Sequence, residues 1–177
     1  MDASERAQAP TTGAELETLL GFLNHQRDTL RWKCAGLDAA QLDTRSTASA
    51  LTLGGLLGHL SLVEVHWFRV MLHGEEPHPP FDVADWKADR DWEMTWARGR
   101  SPEDLLTLFD DAVRAADEGI ARAVAADGLE TRGARVSHRT RKPFTLRWIL
   151  LHMIEEHSRH NGHADLIREG LDGVTGA

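Results

Sequence analysis

Cysteine, tyrosine and long apolar runs are the shortages of this 177-residue chain. Its one cysteine, Cys34, excludes an internal disulfide framework. No apolar stretch approaches the ~20 residues that a bilayer-crossing helix needs, so no membrane association is expected. The opening Met1-Asp2-Ala3-Ser4-Glu5-Arg6 has neither the basic start nor the apolar core of a signal peptide. Cytoplasmic residence is the resulting expectation. Positive charge is scarce too: 20 Lys and Arg stand against 28 Asp and Glu, a net charge of −8. That balance argues against a general nucleic-acid surface, which wants a basic face.

What is present suits one globular domain. The hydrophobic content of 41% is ordinary for a folded chain, and the length allows a sizeable core. Residues 1–12 are polar and read as a loose, flexible arm, 13–172 as the domain and 173–177 as a tail. Apolar residues recur at helical spacing in four long stretches. The first runs from Ala14 to near Gly36 and carries Cys34 in its last turn, where a small buried hydrophobe is the plain reading. The second spans about Thr52 to Leu72. It tolerates Gly54, Gly55 and Gly58, each costing roughly 1 kcal/mol of helix propensity against Ala, which predicts a close-packed neighbour. The third opens at Ser101-Pro102-Glu103-Asp104, an N-cap, a first-turn proline and two carboxylates that suit the helix dipole, and ends before Gly128. The fourth runs from a Thr145 cap to Leu171. The fold class is therefore all-α, a four-helix bundle with an extra short helix or loop between helices 2 and 3. That extra piece, residues 82–100, is rich in Trp and charge. It reads either as a flap over a pocket or as a peripheral packing segment.

The last helix carries four of the ten histidines, at 152, 157, 160 and 163. His152, Glu156 and His160 follow at steps of four, which brings their side chains to roughly 5–6 Å at Cβ on one face. His163 continues the row with a step of three, and His157 is turned away from it by about 100°. Imidazoles and a carboxylate one turn apart can grip a divalent ion. A solvated polar face accounts for the same spacing.

The second helix adds His59 within its apolar stripe, as a hydrogen-bonded core residue or a ligand. Glu64 reads as a carboxylate orienting a ligand histidine or as a surface ion pair. His66 and His73 read as surface or loop residues. Thr52-Leu53-x-x-Leu56-Leu57-x-His59 echoes Thr145-Leu146-x-x-Ile149-Leu150-x-His152, which suggests two helices that each bring a histidine into one interior. The connection from Asp127 to Pro143 reads as a polar loop, and its arginines either as solvated charges or as a basic rim for an anionic substrate.

Two motifs together resemble a known family. Thr52-Leu-Gly-Gly-Leu-Leu-Gly-His-Leu60 with Val63, Glu64, Trp67 and Phe68, and Leu151-His-Met-Ile-Glu-Glu-x-x-Arg-His-x-Gly-His163 with Asp165 to Glu169, are similar to the DinB-like (DinB/YfiT-like) superfamily. The actinobacterial branch related to mycothiol-dependent enzymes looks especially close, and the resemblance covers nearly the whole chain after residue 12. It implies a four-helix bundle, often dimeric, that holds one divalent ion through a histidine of the second helix and two residues one turn apart on the last. Carried onto this sequence, it implies His59, Glu156 and His160 as ligands, with His152 and His163 as outer neighbours or alternates. Glu156 stands where many members have histidine, which leaves the metal's identity open.

Two imidazoles and a carboxylate suit Zn²⁺, with Ni²⁺, Fe²⁺ and Mn²⁺ as alternatives, and leave a position for water or a thiol. The implied activity is transfer of a low-molecular-weight thiol, of the mycothiol kind, to a small electrophile, or hydrolysis of a small substrate. Arg139 and Arg141 are the candidate cofactor-binding residues, and the implied partners are a small molecule and a second copy of the chain. The competing reading is a non-catalytic, stress-related metal-binding or dimerisation bundle.

Overall fold

A computed structural model describes residues 3–176 of the chain; the expectations for residues 1, 2 and 177 fall outside them. Predominantly helical, the chain forms four long helices at the places that periodicity marks. Helix α1 spans Glu15–Cys34. Asp38, with a reciprocal capping box to Gln41, starts the short α2, Ala39–Leu42. Helix α3, Leu53–Val65, is capped by the Thr52 hydroxyl, which accepts from the Gly55 N–H. It continues without a break as a π-helical stretch, His66–Met71. The short α4, Trp92–Ala97, lies in the long connection that follows. Helix α5, Pro102–Asp127, starts on Ser101 and stops at Gly128, whose φ of 59° a glycine adopts without strain. Helix α6, Leu146–Asp172, has Thr145 as its N-cap and left-handed Gly173 as its C-cap.

Side-chain contacts give the helix directions. Arg147 pairs with Glu15, Asn161 with Gln26, and Arg168 donates to the Lys33 carbonyl, so α1 and α6 run parallel. Gly54 abuts Leu105 and Gly119 abuts Phe68, so α3 and α5 also run parallel. His59 meets Glu156 and His160, while Trp67 meets Trp148 and His152, so α3 runs against α6. A parallel pair of consecutive long helices needs a connection that returns along their length. Residues 74–101 are that connection, which is why they are many and why α4 can form within them.

The core fills the space between these helices. Leu53, Leu56, Leu57 and Leu60 of α3 are fully buried with Leu30, Leu105 and Phe109 around them. Each such side chain contributes about 1.5–3 kcal/mol of transfer free energy. The expected close neighbour of the glycines is α4. A Cβ on Gly58 would lie 2.7 Å from the Glu93 carbonyl oxygen, so the bare helix surface lets α4 dock directly on α3.

One expectation needs correction. The predominantly helical fold agrees with the all-α reading and adds a two-stranded ribbon in the connection read as a polar loop: β1, Arg132–Val136, pairs antiparallel with β2, Pro143–Thr145, with Arg132 opposite Thr145. The strands are too short and too charged to show alternation. Gly133 anchors them, because its missing side chain lets β1 approach to where a Cβ would be 2.7 Å from the Met71 carbonyl. The described part of the N-terminal arm makes contacts with α1. The Ala7 N–H donates to Asp28, Arg6 lies 4.6 Å over the Trp32 ring, and Gly21 leaves room for Pro10 against α1. No helix among the described residues is long and apolar enough to cross a membrane.

Candidate metal centre

Helix α3 presents His59 one turn beyond its glycine-rich start, and α6, running the other way, presents Glu156 and His160 one turn apart. The crossing brings the three together: one ligand atom from each lies within 4.8 Å of the others. His59 Nε2 and His160 Nε2 each stand 3.4 Å from Glu156 Oε1. A tetrahedral ion with bonds of about 2.0–2.1 Å would space its ligand atoms by about 3.3–3.4 Å. The two imidazole edges meet at a ring-centroid distance of 4.8 Å. Side-chain exposures of 22%, 16% and 11% for His59, Glu156 and His160 leave the cluster shielded yet reachable.

The electrostatics favour a cation at this point. Burial pushes the His160 imidazole down to about 4, with His59 adding to the effect and Glu156 opposing it, so His160 is neutral near pH 7 and keeps a lone pair. Its Nδ1 is 3.3 Å from His163 Nδ1, which ties down the far side of the ring. Burial also works against a charge on His59, but Glu93 and Glu156 outweigh it and hold its pKa above the ordinary value. Burial would raise the Glu156 carboxyl, yet His59 and His160 bring it below the usual range. Two ring nitrogens facing one carboxylate oxygen is an arrangement that a positive charge between them satisfies, and the donor set fits a divalent ion.

His59 is held from behind. The buried Glu93 of α4 sits 2.8 Å from His59 Nδ1, which fixes the ring and aims Nε2 at Glu156. Sequence reasoning missed Glu93. It stands in a six-residue helix amid charge-rich sequence, too short for any period to mark its face. Glu64 is neither a surface pair nor a partner of a ligand histidine. Fully buried, it accepts from Arg27 at 2.8 and 2.7 Å and lies 2.9 Å from His157 Nε2. Burial opposes its charge, but Arg27 and His157 bring its carboxyl down to about 2. His73 is also more than a surface residue, since its Nε2 lies 2.9 Å from the Gly119 carbonyl.

His152 does not join the cluster. It stacks on Trp148 at 5.0 Å and meets the edge of Trp67 at 4.7 Å. The echo between the two helices is thus real for their threonine caps and fails for their histidines: only His59 reaches the shared interior. The aromatic row continues through Phe144, 4.4 Å from Trp148, to the ribbon. There a groove of about 510 Å³ is lined by Arg139, Lys142, Phe144 and Trp148. Arg141, at φ 59°, makes the turn between the strands and stays exposed outside that wall. Cys34 is buried, and burial pushes its thiol up to about 12, so it carries no reactive thiolate.

No curated protein matches the chain. The mycothiol-S-transferase family model matches residues 18–173, a span that includes α3, α6 and all three residues of the cluster. The chain is therefore a DinB-like protein and belongs to the mycothiol-S-transferase family.

Proposed function

We propose that this protein is a metal-dependent transferase that moves a low-molecular-weight thiol of the mycothiol kind onto a small electrophile. The observation that carries the reading is the convergence of His59 Nε2 and His160 Nε2 on Glu156 Oε1. Family membership supports it. His59, Glu156 and His160 would hold one divalent ion, Zn²⁺ first and Ni²⁺, Fe²⁺ or Mn²⁺ as alternatives. Such an ion supplies Lewis-acid chemistry, lowering the pKa of a thiol that binds it. Glu93 and His163 keep the two imidazoles oriented from behind. Arg139 and Lys142, with Arg141 at the turn beside them, offer N–H donors to the thiol's hydroxyls and amide carbonyls, and the Phe144–Trp148–His152 row leads from them toward Glu156. In the transfer, the thiol proton is released as the C–S bond forms, and the leaving group departs with its bonding pair. The chain's own Cys34 is too buried to act, so the sulfur comes from the cofactor. We read the helix packing as the family's four-helix bundle and the active form as a homodimer. Helices α1 and α6 support the dimer, because they leave Phe22, Leu151 and Leu166 47%, 52% and 62% exposed.

The test is metal content by plasma mass spectrometry on tag-free protein, with turnover of mycothiol and 1-chloro-2,4-dinitrobenzene. Wild type is expected to carry about one equivalent of divalent metal, and His160→Ala to lose it. The variant's kcat/KM is expected to fall by more than about 100-fold, beyond the 10–100-fold cost of losing an outer partner. Wild type that takes up no metal from Zn²⁺ or Ni²⁺ and turns over no thiol would leave the non-catalytic bundle as the reading.

A further inference from the structure

Beyond His59, α3 and the π-helical stretch that continues it floor a second cavity. Leu62, Val63 and Val65 of α3, with His66, Trp67 and Val70 of the π-helical stretch, line it. They form one side of a cavity of about 460 Å³, a volume typical of small-ligand sites. Pro77, Phe81 and Trp86 of the long connection close the other side. The π-helical stretch begins at His66, and a widened turn of this kind is a recurrent feature of functional sites.

Two charged residues give the cavity a direction. Glu93 lies on its wall, is only 5% exposed, and already holds His59 through Oε1, while its Oε2 is buried with no hydrogen-bond partner. Arg90, three residues earlier in the turn before α4, also lies on the wall but is exposed, and it forms no ion pair or hydrogen bond among the described residues. The buried carboxylate repels an anion from the inner end, and the free guanidinium attracts one at the rim. Trp67 joins the cavity to the metal centre, since its ring touches His152, one turn before Glu156.

We propose that this cavity is the acceptor site: it takes an electrophile with an apolar, ring-bearing body and a single anionic group. The anion pairs with Arg90, the body lies on Val63, Trp67 and Val70, and the inner end approaches the Glu93–His59 contact. The assignment of the occupant as the electrophile rests on the transferase reading. The cavity's selectivity for an apolar anion does not, so the two are tested separately.

The probes are 8-anilinonaphthalene-1-sulfonate and its uncharged counterpart N-phenyl-1-naphthylamine, titrated by fluorescence against the full chain. Wild type is expected to bind the sulfonate up to about fivefold more tightly than the neutral probe, the discrimination that one exposed ion pair supplies. Arg90→Glu, a change at an exposed position, is expected to remove that preference and leave the neutral probe bound as before. Val70→Trp is expected to weaken both by filling the cavity. His160→Ala is expected to change neither, so loss of metal and loss of the cavity read out differently. Sulfonate binding that survives both Arg90→Glu and Val70→Trp would place the probe elsewhere, the basic ribbon groove being the obvious position, and would overturn the proposal. So would wild type that binds neither probe. Transferase inactivity with the probe pattern intact would count against the thiol-transfer reading and leave the apolar-anion site standing.

Discussion

Among single residues, Glu64 bears the most charge in the least solvent. Arg27 reaches it from α1 and His157 from α6, so one carboxylate ties three helices together beside the ligand-bearing turns. Removing one partner of a buried pair costs up to about 3–5 kcal/mol, and here Arg27 would keep only the exposed Asp117 as a counter-charge. Glu64→Gln is expected to lose stability of that order in urea unfolding at neutral pH. The sign of the pH dependence follows from its depressed pKa. The contribution is complete above the unfolded-state carboxylate value of about 4.3 and is lost as pH falls toward about 2, where the native carboxyl titrates. The gap between wild type and Glu64→Gln should therefore narrow from pH 5 to pH 3; a gap that stays constant would mean that the charge is not what matters.

Among elements, α4 decides the most with the least sequence. Six residues long, it could not persist alone; it exists because Gly58 lets it rest on α3. Glycine to alanine inside a helix ordinarily gains about 1 kcal/mol. At Gly58 the added Cβ meets a backbone oxygen that cannot swing aside, so Gly58→Ala is expected to destabilise by about 1–3 kcal/mol. It is also expected to weaken Zn²⁺ binding by about tenfold, because Glu93 moves away from His59. Gly162→Ala in α6 has nothing within 4 Å of the new carbon and should gain stability instead. Thermal unfolding and a chelator competition on the two variants check both signs, and a stabilised Gly58→Ala with unchanged affinity would remove α4 from the site.

For the whole molecule, the arrangement of helices sets what remains exposed. The parallel α1 and α6 pack against one another and still leave Phe22, Leu151 and Leu166 in solvent. Exposed apolar side chains grouped on neighbouring elements mark association surfaces. Light scattering is expected to give about 39 kDa, twice the 19.7 kDa chain, and Leu166→Asp is expected to return it to the monomer mass. A wild-type monomer at micromolar concentration would end the dimer reading.

Helix positions, their caps and the Glu156–His160 row were legible from residues alone, because caps and period are local. Thr52, Ser101 and Thr145 each accept the backbone N–H that their chemistry suits, and Glu156 and His160 share a face because four residues make about one turn. His59 could be singled out by its place in an apolar stripe, and only the crossing of α3 and α6 sets its Nε2 3.4 Å from Glu156 Oε1. The partner of Glu64, the role of Glu93, the exclusion of His152 and the pairing of the ribbon were decided only in three dimensions. Each depends on which segment lies across from which, and that is set by packing between residues tens of positions apart: 34 from His59 to Glu93 and 97 from His59 to Glu156. Local spacing carries no record of such distances, so the chain's chemistry was written in its sequence and its site was assembled by the crossing of its helices.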